Sequence, residues 1–240
     1  MKDLWILKTG NTLPDLAARR GDFEDWISAG LGLPPEATRV LDVREAPPPP
    51  YENLGAAVIT GSHAMVTDHA AWSERLADWL PGLIARRIPL LGICYGHQLL
   101  AYALGGAAGE TPAGPEYGTV PLTLEAAARL DPLLGDLPEP LEVHVSHFQS
   151  VLALPQGATR LASSAQDPHQ AFVVAGCAWG VQFHPEFDED IVATYIRAYA
   201  AELRERGVEP QARLETCRSA RQGAQVLRRF AGLARSESRE

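Results

Sequence analysis

Hydrophobic and polar positions along the 240-residue chain fall into blocks of two periods. Short apolar runs over Leu4–Lys8, Val40–Val43 and Ala56–Thr60 read as strands. Between them, Leu13–Leu31 and Trp72–Arg86 carry apolar residues at helical spacing, the first interrupted near Gly21. Its stripe of Phe23, Trp26 and Ile27 reads as core packing. The proline run Pro47–Pro50 must be loop, either a spacer or the rim of a pocket. The stretch Ile88–Ile93 is apolar without interruption, as in a strand covered on both faces. Tyr95–Leu104 continues at helical spacing and stops at Gly105-Gly106.

Beyond Gly105 the alternation tightens. Val120–Leu124, Leu141–Val145, Val151–Leu154, Thr159–Ala162, Ala171–Val174 and Ala178–Phe183 read as antiparallel hairpins that extend a central sheet. Asp131–Leu134 is expected to make one helical turn, and Asp188–Arg206 a helix with a core stripe of Ile191, Tyr195, Ile196, Tyr199 and Leu203. Gly207–Pro210 breaks it, and Gln211–Leu233 is a further arginine-rich amphipathic stretch. That stretch can pack on the domain or serve as a partner or dimer contact. The pattern predicts an α/β fold, an open twisted, mostly parallel sheet flanked by helices, with an antiparallel extension. The expected division is a domain over residues 1–206 and a C-terminal helical extension over 207–240.

Composition adds bounds. Hydrophobic residues make up 46% and charged residues 21%, ordinary for a globular chain with a real core. The net charge of −9 with scattered positive residues gives no nucleic-acid footprint. Cys94, Cys177 and Cys217 are an odd, widely spaced set, so no disulfide framework is implied. With no signal peptide and no apolar span long enough for a membrane, the expectation is a soluble, cytoplasmic protein.

The chemistry concentrates where the apolar run meets the helix. Cys94 lies between Gly92 and Gly96, and a side chain on a sharp strand-to-helix turn needs small neighbours there because the backbone folds back on itself. Such a turn lifts the thiol clear of the sheet, and the N-terminal amides of the following helix favour a thiolate. The alternative is a cysteine that merely packs in a strand. A nucleophile needs a base and a group that orients the base. Trp179–Glu186 supplies both: an apolar strand ends in His184-Pro185-Glu186, and the proline holds the imidazole and carboxylate as a rigid pair. His147 is a weaker rival for the base, and His97 lies on another face of the helix. His63 and His69 read as loop histidines, with no third residue at metal spacing. Gly61, after the third strand, is placed to present a backbone N–H at the carboxyl ends of the strands, where ligands bind in such sheets. Gln98 is one helical turn beyond Cys94 and faces the same way.

Gly-Ile-Cys-Tyr-Gly-His-Gln, taken with Val-Gln-Phe-His-Pro-Glu, resembles the class I (triad) glutamine amidotransferases, in order from about Leu4 to about Leu203. The likeness is greatest to stand-alone members similar to the amidotransferase domain of GMP synthetase. The resemblance implies a flavodoxin-like amidotransferase fold and a Cys94–His184–Glu186 triad that hydrolyses the side-chain amide of glutamine. It further implies an oxyanion hole from the amides of Gly61 and Tyr95. Substrate contacts are expected from Gln98 and from the loop at Ser146, Phe148 and Gln149, which relatives use to hold the glutamine α-carboxylate and α-amine. Two positions depart from the pattern: Gly61-Ser62-His63 replaces the usual Gly-Gly-Pro or Gly-Pro-Gly, and Phe148 replaces a glycine. The mechanism requires no cofactor and no metal. The chain has no Ser-Gly-Gly-x-Asp-Ser loop of an ATP pyrophosphatase and no phosphate cradle, so a fused synthetase is not expected. Expected partners are therefore glutamine or another γ-glutamyl compound, a separate ammonia-accepting synthetase and a second copy of the chain, with no nucleic acid or membrane. A γ-glutamyl peptide or amide hydrolase using the same triad is the alternative, and an inert binding module the third reading.

Overall fold

A computed structural model describes residues 3–236. The strands are β1 (Asp3–Lys8), β2 (Thr38–Asp42), β3 (Leu54–Ile59), β4 (Leu90–Ile93), β5 (Ala107–Glu110), β6 (Glu116–Leu124), β7 (Leu141–His147), β8 (Gln149–Ala153), β9 (Thr159–Ser163), β10 (Ala171–Val174) and β11 (Ala178–Val181). The helices are α1 (Pro14–Arg20), α2 (Phe23–Leu31), α3 (Ala71–Ala85), α4 (Tyr95–Ala103), α5 (Glu189–Ala198), α6 (Ala200–Glu205), α7 (Pro210–Leu214) and α8 (Arg221–Ser236). Nine strands form one sheet in the order β2-β1-β3-β4-β11-β10-β9-β6-β7. The run from β2 to β11 is parallel and the rest is antiparallel, as the pattern predicts.

Period-2 alternation sends the central strands to two cores. Leu4, Ile6, Ala56, Val58, Leu91 and Ile93 pack with Ile27 and Leu31 of α2 and with Val226, Leu227 and Phe230 of α8. Leu7, Ala57, Ile59 and Leu90 face the opposite layer, where Leu76, Leu80 and Leu83 of α3 meet Leu99 and Leu100 of α4. Both faces are covered, which is why these strands read as continuous apolar runs. The arginine-rich C-terminal stretch thus packs in cis, as two helices rather than one.

Several details differ from expectation. β11 pairs with β4 in parallel as well as with β10 antiparallel, so it belongs to both halves of the sheet. β5 and β8 form a separate two-stranded sheet rather than part of the extension. Asp131–Leu134 is a turn held by the Asp131 carboxylate, which accepts from the amides of Leu133 and Leu134 at 2.9 and 3.0 Å. The adjacent helical turn falls at Ala126–Leu130. The break near Gly21 is a true helix boundary: Gly21 takes φ 80°, and Asp22 caps α2 in a capping box with Asp25. Asp22 also accepts from Lys8 Nζ at 2.9 Å, so the end of β1 fixes where α2 begins.

Candidate active site

β4 passes into α4 through Cys94, whose backbone sits at φ 50° and ψ −98°. A non-glycine residue in that region is strained and persists only where its surroundings enforce it. Here the enforcement is close packing of glycines. A Cβ on Gly92 would lie 2.4 Å from the Gly96 carbonyl oxygen, and one on Gly96 would lie 2.8 Å from the carbonyl oxygen of Ile59 in β3. The spacing of small residues around the cysteine is therefore a steric requirement of the bend.

β11 ends beside this bend and continues into His184-Pro185-Glu186. His184 Nδ1 meets Glu186 Oε1 at 2.7 Å, and the Cys94 sulfur acts electrostatically on the same imidazole. With Nδ1 committed to the carboxylate, Nε2 is the nitrogen left for the sulfur. Glu186 Oε2 is buried without a hydrogen-bond partner among the described residues, so the carboxylate is dedicated to this ring. Burial works against the imidazolium, but the neighbouring Glu186 carboxylate and Cys94 sulfur outweigh it and raise the His184 pKa to about 10. The ring is clamped by aromatics: Phe187 stacks on it at 4.0 Å between centroids, and Phe23 lies nearly parallel at 6.4 Å. Phe23, expected as general core, thus flanks the imidazole, and Trp26 packs edge-on against Phe23 and Phe187.

Gly61 approaches from β3, and a Cβ there would sit 3.0 Å from His184 Cε1. Thr9 Oγ1 is 3.0 Å from the Gly61 carbonyl oxygen and Ser62 Oγ donates to the Thr9 carbonyl at 2.9 Å, so the β1 loop pins the Gly61 loop. Neither the Gly61 nor the Tyr95 backbone N–H has a protein acceptor among the described residues. The Tyr95 ring is anchored away on α3 through its hydroxyl, 2.5 Å from Ser73 Oγ. Its contribution to the site is therefore the backbone.

The cavity in front of Cys94 encloses about 190 Å³. Tyr95, Gln98, Ser146, Phe148 and Gln149 line it, as the resemblance implies. Gln98 does so in an unexpected state: its amide nitrogen donates to the Gln149 carbonyl at 2.7 Å and to Gln182 Oε1 at 3.0 Å, which leaves only its oxygen for a ligand. The segment around Ser146 is not an exposed hairpin turn. β7 pairs with β6 and β8 with β5, so Phe148 is a buried corner between two sheets.

His147 does not reach toward Cys94 as a base. It is buried, with Nδ1 3.0 Å from the Gln149 carbonyl and Nε2 3.2 Å from Glu116 Oε2. Glu116 also accepts from Gln170 Nε2 at 2.6 Å and Ser164 Oγ at 2.7 Å. Both imidazole nitrogens thus face acceptors beneath the loop, which leaves neither for the Cys94 sulfur. His97 packs against Phe172 at 4.9 Å in the sheet core, and burial lowers its pKa to about 3.

Two cavity residues carry no sequence-level assignment to the site: His63, expected only as a loop histidine, and Glu202. His63 lines the cavity and its Nε2 is 3.2 Å from the Tyr195 hydroxyl; burial and the neighbouring His184 lower its pKa. Glu202 lines the same cavity from α6. The only available signal was the i, i+4, i+7 spacing of Tyr195, Tyr199 and Glu202, which places three amphipathic or charged groups on one helical face. Among the described residues, no group of three or more His, Cys, Asp or Glu is arranged to hold a metal, and no helix is long and apolar enough to cross a membrane.

The family model for glutamine amidotransferase class-I matches residues 55–203, more than half of the chain. The chain belongs to the class-I glutamine amidotransferase family. Among curated relatives of this amidotransferase it is 34% identical over 184 residues to a GMP synthase [glutamine-hydrolyzing] of Synechococcus sp. (strain CC9902), covering 75% of this chain and 31% of that protein. A protein of the same name from Aeropyrum pernix is 40% identical over 119 residues, covering 49% and 22%. The chain thus spans about a third or less of the length of these relatives. Among solved structures, a glutamine amidotransferase of Thermotoga maritima aligns at TM-score 0.71 with 22% identity over 98% of both chains. A glutamine amido transferase of Methylobacillus flagellatus aligns at 0.70 with 23% identity over 97% of this chain and 95% of that one. These two likenesses establish a shared amidotransferase fold.

Proposed function

We propose that this protein hydrolyses the side-chain amide of glutamine to glutamate and ammonia through Cys94, His184 and Glu186. The observation that carries the reading is the strained Cys94 facing an imidazole whose other nitrogen is held by a dedicated carboxylate. The Cys94 thiolate, its proton resident on His184, attacks the γ-carboxamide carbon. Negative charge moves to the amide oxygen, where the Gly61 and Tyr95 N–H groups receive it. His184 delivers its proton to the departing nitrogen, ammonia leaves and a γ-glutamyl thioester remains on Cys94. Water then attacks the thioester with His184 as base, the carbonyl re-forms, and glutamate leaves as the sulfur regains its charge. Glu186 orients the ring and stabilises its cation throughout.

The cavity favours glutamine over a larger γ-glutamyl peptide, because about 190 Å³ is small beside the roughly 300–1,000 Å³ of pockets for drug-sized ligands. The likeness to one segment of GMP synthases supports delivery of the ammonia to a synthetase, with the acceptor left to that partner. The test is glutamate release from glutamine and from a panel of γ-glutamyl amides and peptides by purified protein. Glutamine is expected to be the best substrate, and Cys94→Ala to lose on the order of 10⁴-fold in kcat. A Cys94→Ala protein with wild-type turnover would overturn the mechanism; a peptide hydrolysed faster than glutamine would overturn the substrate.

A further inference from the structure

A substrate carrying an α-ammonium is best received by an anion, and in the loop expected to hold it the Phe148 and Gln149 backbone carbonyls already have partners. The Gln149 carbonyl accepts from Gln98 Nε2 at 2.7 Å and faces His147 Nδ1 at 3.0 Å. The Phe148 carbonyl accepts from the Thr111 amide and hydroxyl, both at 3.0 Å. The Tyr195 hydroxyl sits between Thr12 Oγ1 at 2.7 Å and His63 Nε2 at 3.2 Å. Gln98 Oε1 and the buried Gln149 Oε1 remain as neutral acceptors, and Glu202 is the one acidic side chain in the cavity lining, which contains no lysine or arginine. Its Oε1 is 3.5 Å from Arg206 Nη2, while Oε2 has no partner among the described residues. The rings beside it form an aromatic corner, with Tyr117, Phe148 and Tyr199 separated by 5.4–6.2 Å between centroids. A carboxylate beside electron-rich ring faces is the chemistry that receives an ammonium group.

We propose that Glu202, backed by Tyr117 and Tyr199, receives the α-ammonium of the substrate and makes the site selective for γ-glutamyl donors with a free amine. The inference rests on the reading of this cavity as a glutamine amide hydrolase, and adds what that reading lacks: the side chain that distinguishes an amino acid from a simple carboxamide. It also explains why α6 reaches the cavity at all.

The experiment compares glutamine with glutaramate, which is glutamine without its α-amine, in wild type, Glu202→Gln and Glu110→Gln. Glu110 is the charge-matched control: it pairs with Arg206 at 3.2 Å but does not line the cavity. Kinetics are measured on the active proteins, and direct calorimetric binding of both compounds on the same set in a Cys94→Ala background. Glu202→Gln is expected to raise KM and Kd for glutamine about 10- to 100-fold, as for loss of a charged hydrogen bond, with kcat within about threefold. Values for glutaramate are expected to stay within about twofold, and Glu110→Gln to match wild type for both compounds. An unchanged glutamine KM and Kd in Glu202→Gln, or an equal loss for both compounds, overturns the assignment while leaving hydrolysis intact. Glutamine binding that depends on Glu202 without any hydrolysis by wild type supports the assignment and overturns the enzymatic reading instead. Thermal unfolding matched to wild type shows that Glu202→Gln is folded.

Discussion

At the scale of single residues, the proton on His184 is the quantity most sensitive to its neighbours. Burial alone would strip the proton from the imidazole, and the Glu186 carboxylate and Cys94 sulfur reverse that, to a pKa of about 10. The raised value contributes folding stability that is complete below the unfolded histidine value near 6.5 and fades as pH climbs toward about 10. It also sets an alkaline limit on catalysis, because the leaving ammonia takes its proton from this ring. Glu186→Gln keeps the shape and removes the charge, leaving burial opposed by the sulfur alone. The alkaline limb of kcat/KM is expected to move down by a pH unit or more, alongside a fall in rate. A limb that stays in place while the rate falls would mean that Glu186 only orients the ring.

At the scale of elements, the β4–α4 elbow shows what a sequence discloses and what it withholds. The bend was legible because all its causes are local: an apolar run, a cysteine between glycines, and helical spacing beyond it. The structure adds that Gly96 is pressed against β3, a strand roughly forty residues earlier in the sequence. A Cβ at position 96 would meet the Ile59 carbonyl oxygen and side chain at 2.8 Å, and Ile59 leads directly into Thr60 and Gly61. Gly96→Ala should help an isolated helix by about 1 kcal/mol. In this protein it is expected instead to cost about 1–3 kcal/mol by overpacking, and to lower glutamine hydrolysis at least tenfold by displacing the Gly61 loop. Urea unfolding and kinetics on one preparation decide it, and a more stable, fully active variant would refute the packing argument. The polar half of the site left no such local trace. Glu116 and His147 meet across 31 residues and His63 and Tyr195 across 132, through contacts with no periodic signature. Sequence order likewise conceals that the two strands meeting at the β7–β8 corner pair with different sheets.

At the scale of the molecule, the parallel strands bring the carboxyl ends of β3, β4 and β11 to one edge, so Gly61, Cys94 and His184 converge from three distant segments. The same architecture buries histidines with no role in the proposed chemistry. His97 lies in the sheet core and His144, 3.1 Å from Thr119 Oγ1, lies under the β6–β7 pair. Burial lowers their pKa values to about 3 and about 4, so both fold as neutral rings. Between pH 6.5 and about 5 the unfolded chain takes up their protons and the folded chain does not, so stability falls as pH falls, by up to about 1.4 kcal/mol per pH unit for each ring. The carboxylates held low by their partners, Asp22, Asp42 and Asp188, act in the same direction but below the ordinary carboxylate range. His184 is protonated in both states through most of this window and contributes little slope. Asp167, raised by burial, runs the other way. Comparing His97→Asn with wild type cancels these shared contributions and isolates one ring. Denaturant unfolding at pH 6.5 and pH 5.0 is expected to show a shallower pH dependence in the variant, by on the order of 1 kcal/mol per unit. Because the two proteins differ only at this one buried ring, equal slopes would mean that the sheet core admits a charged imidazole, and that the close packing of His97 against Phe172 yields on protonation.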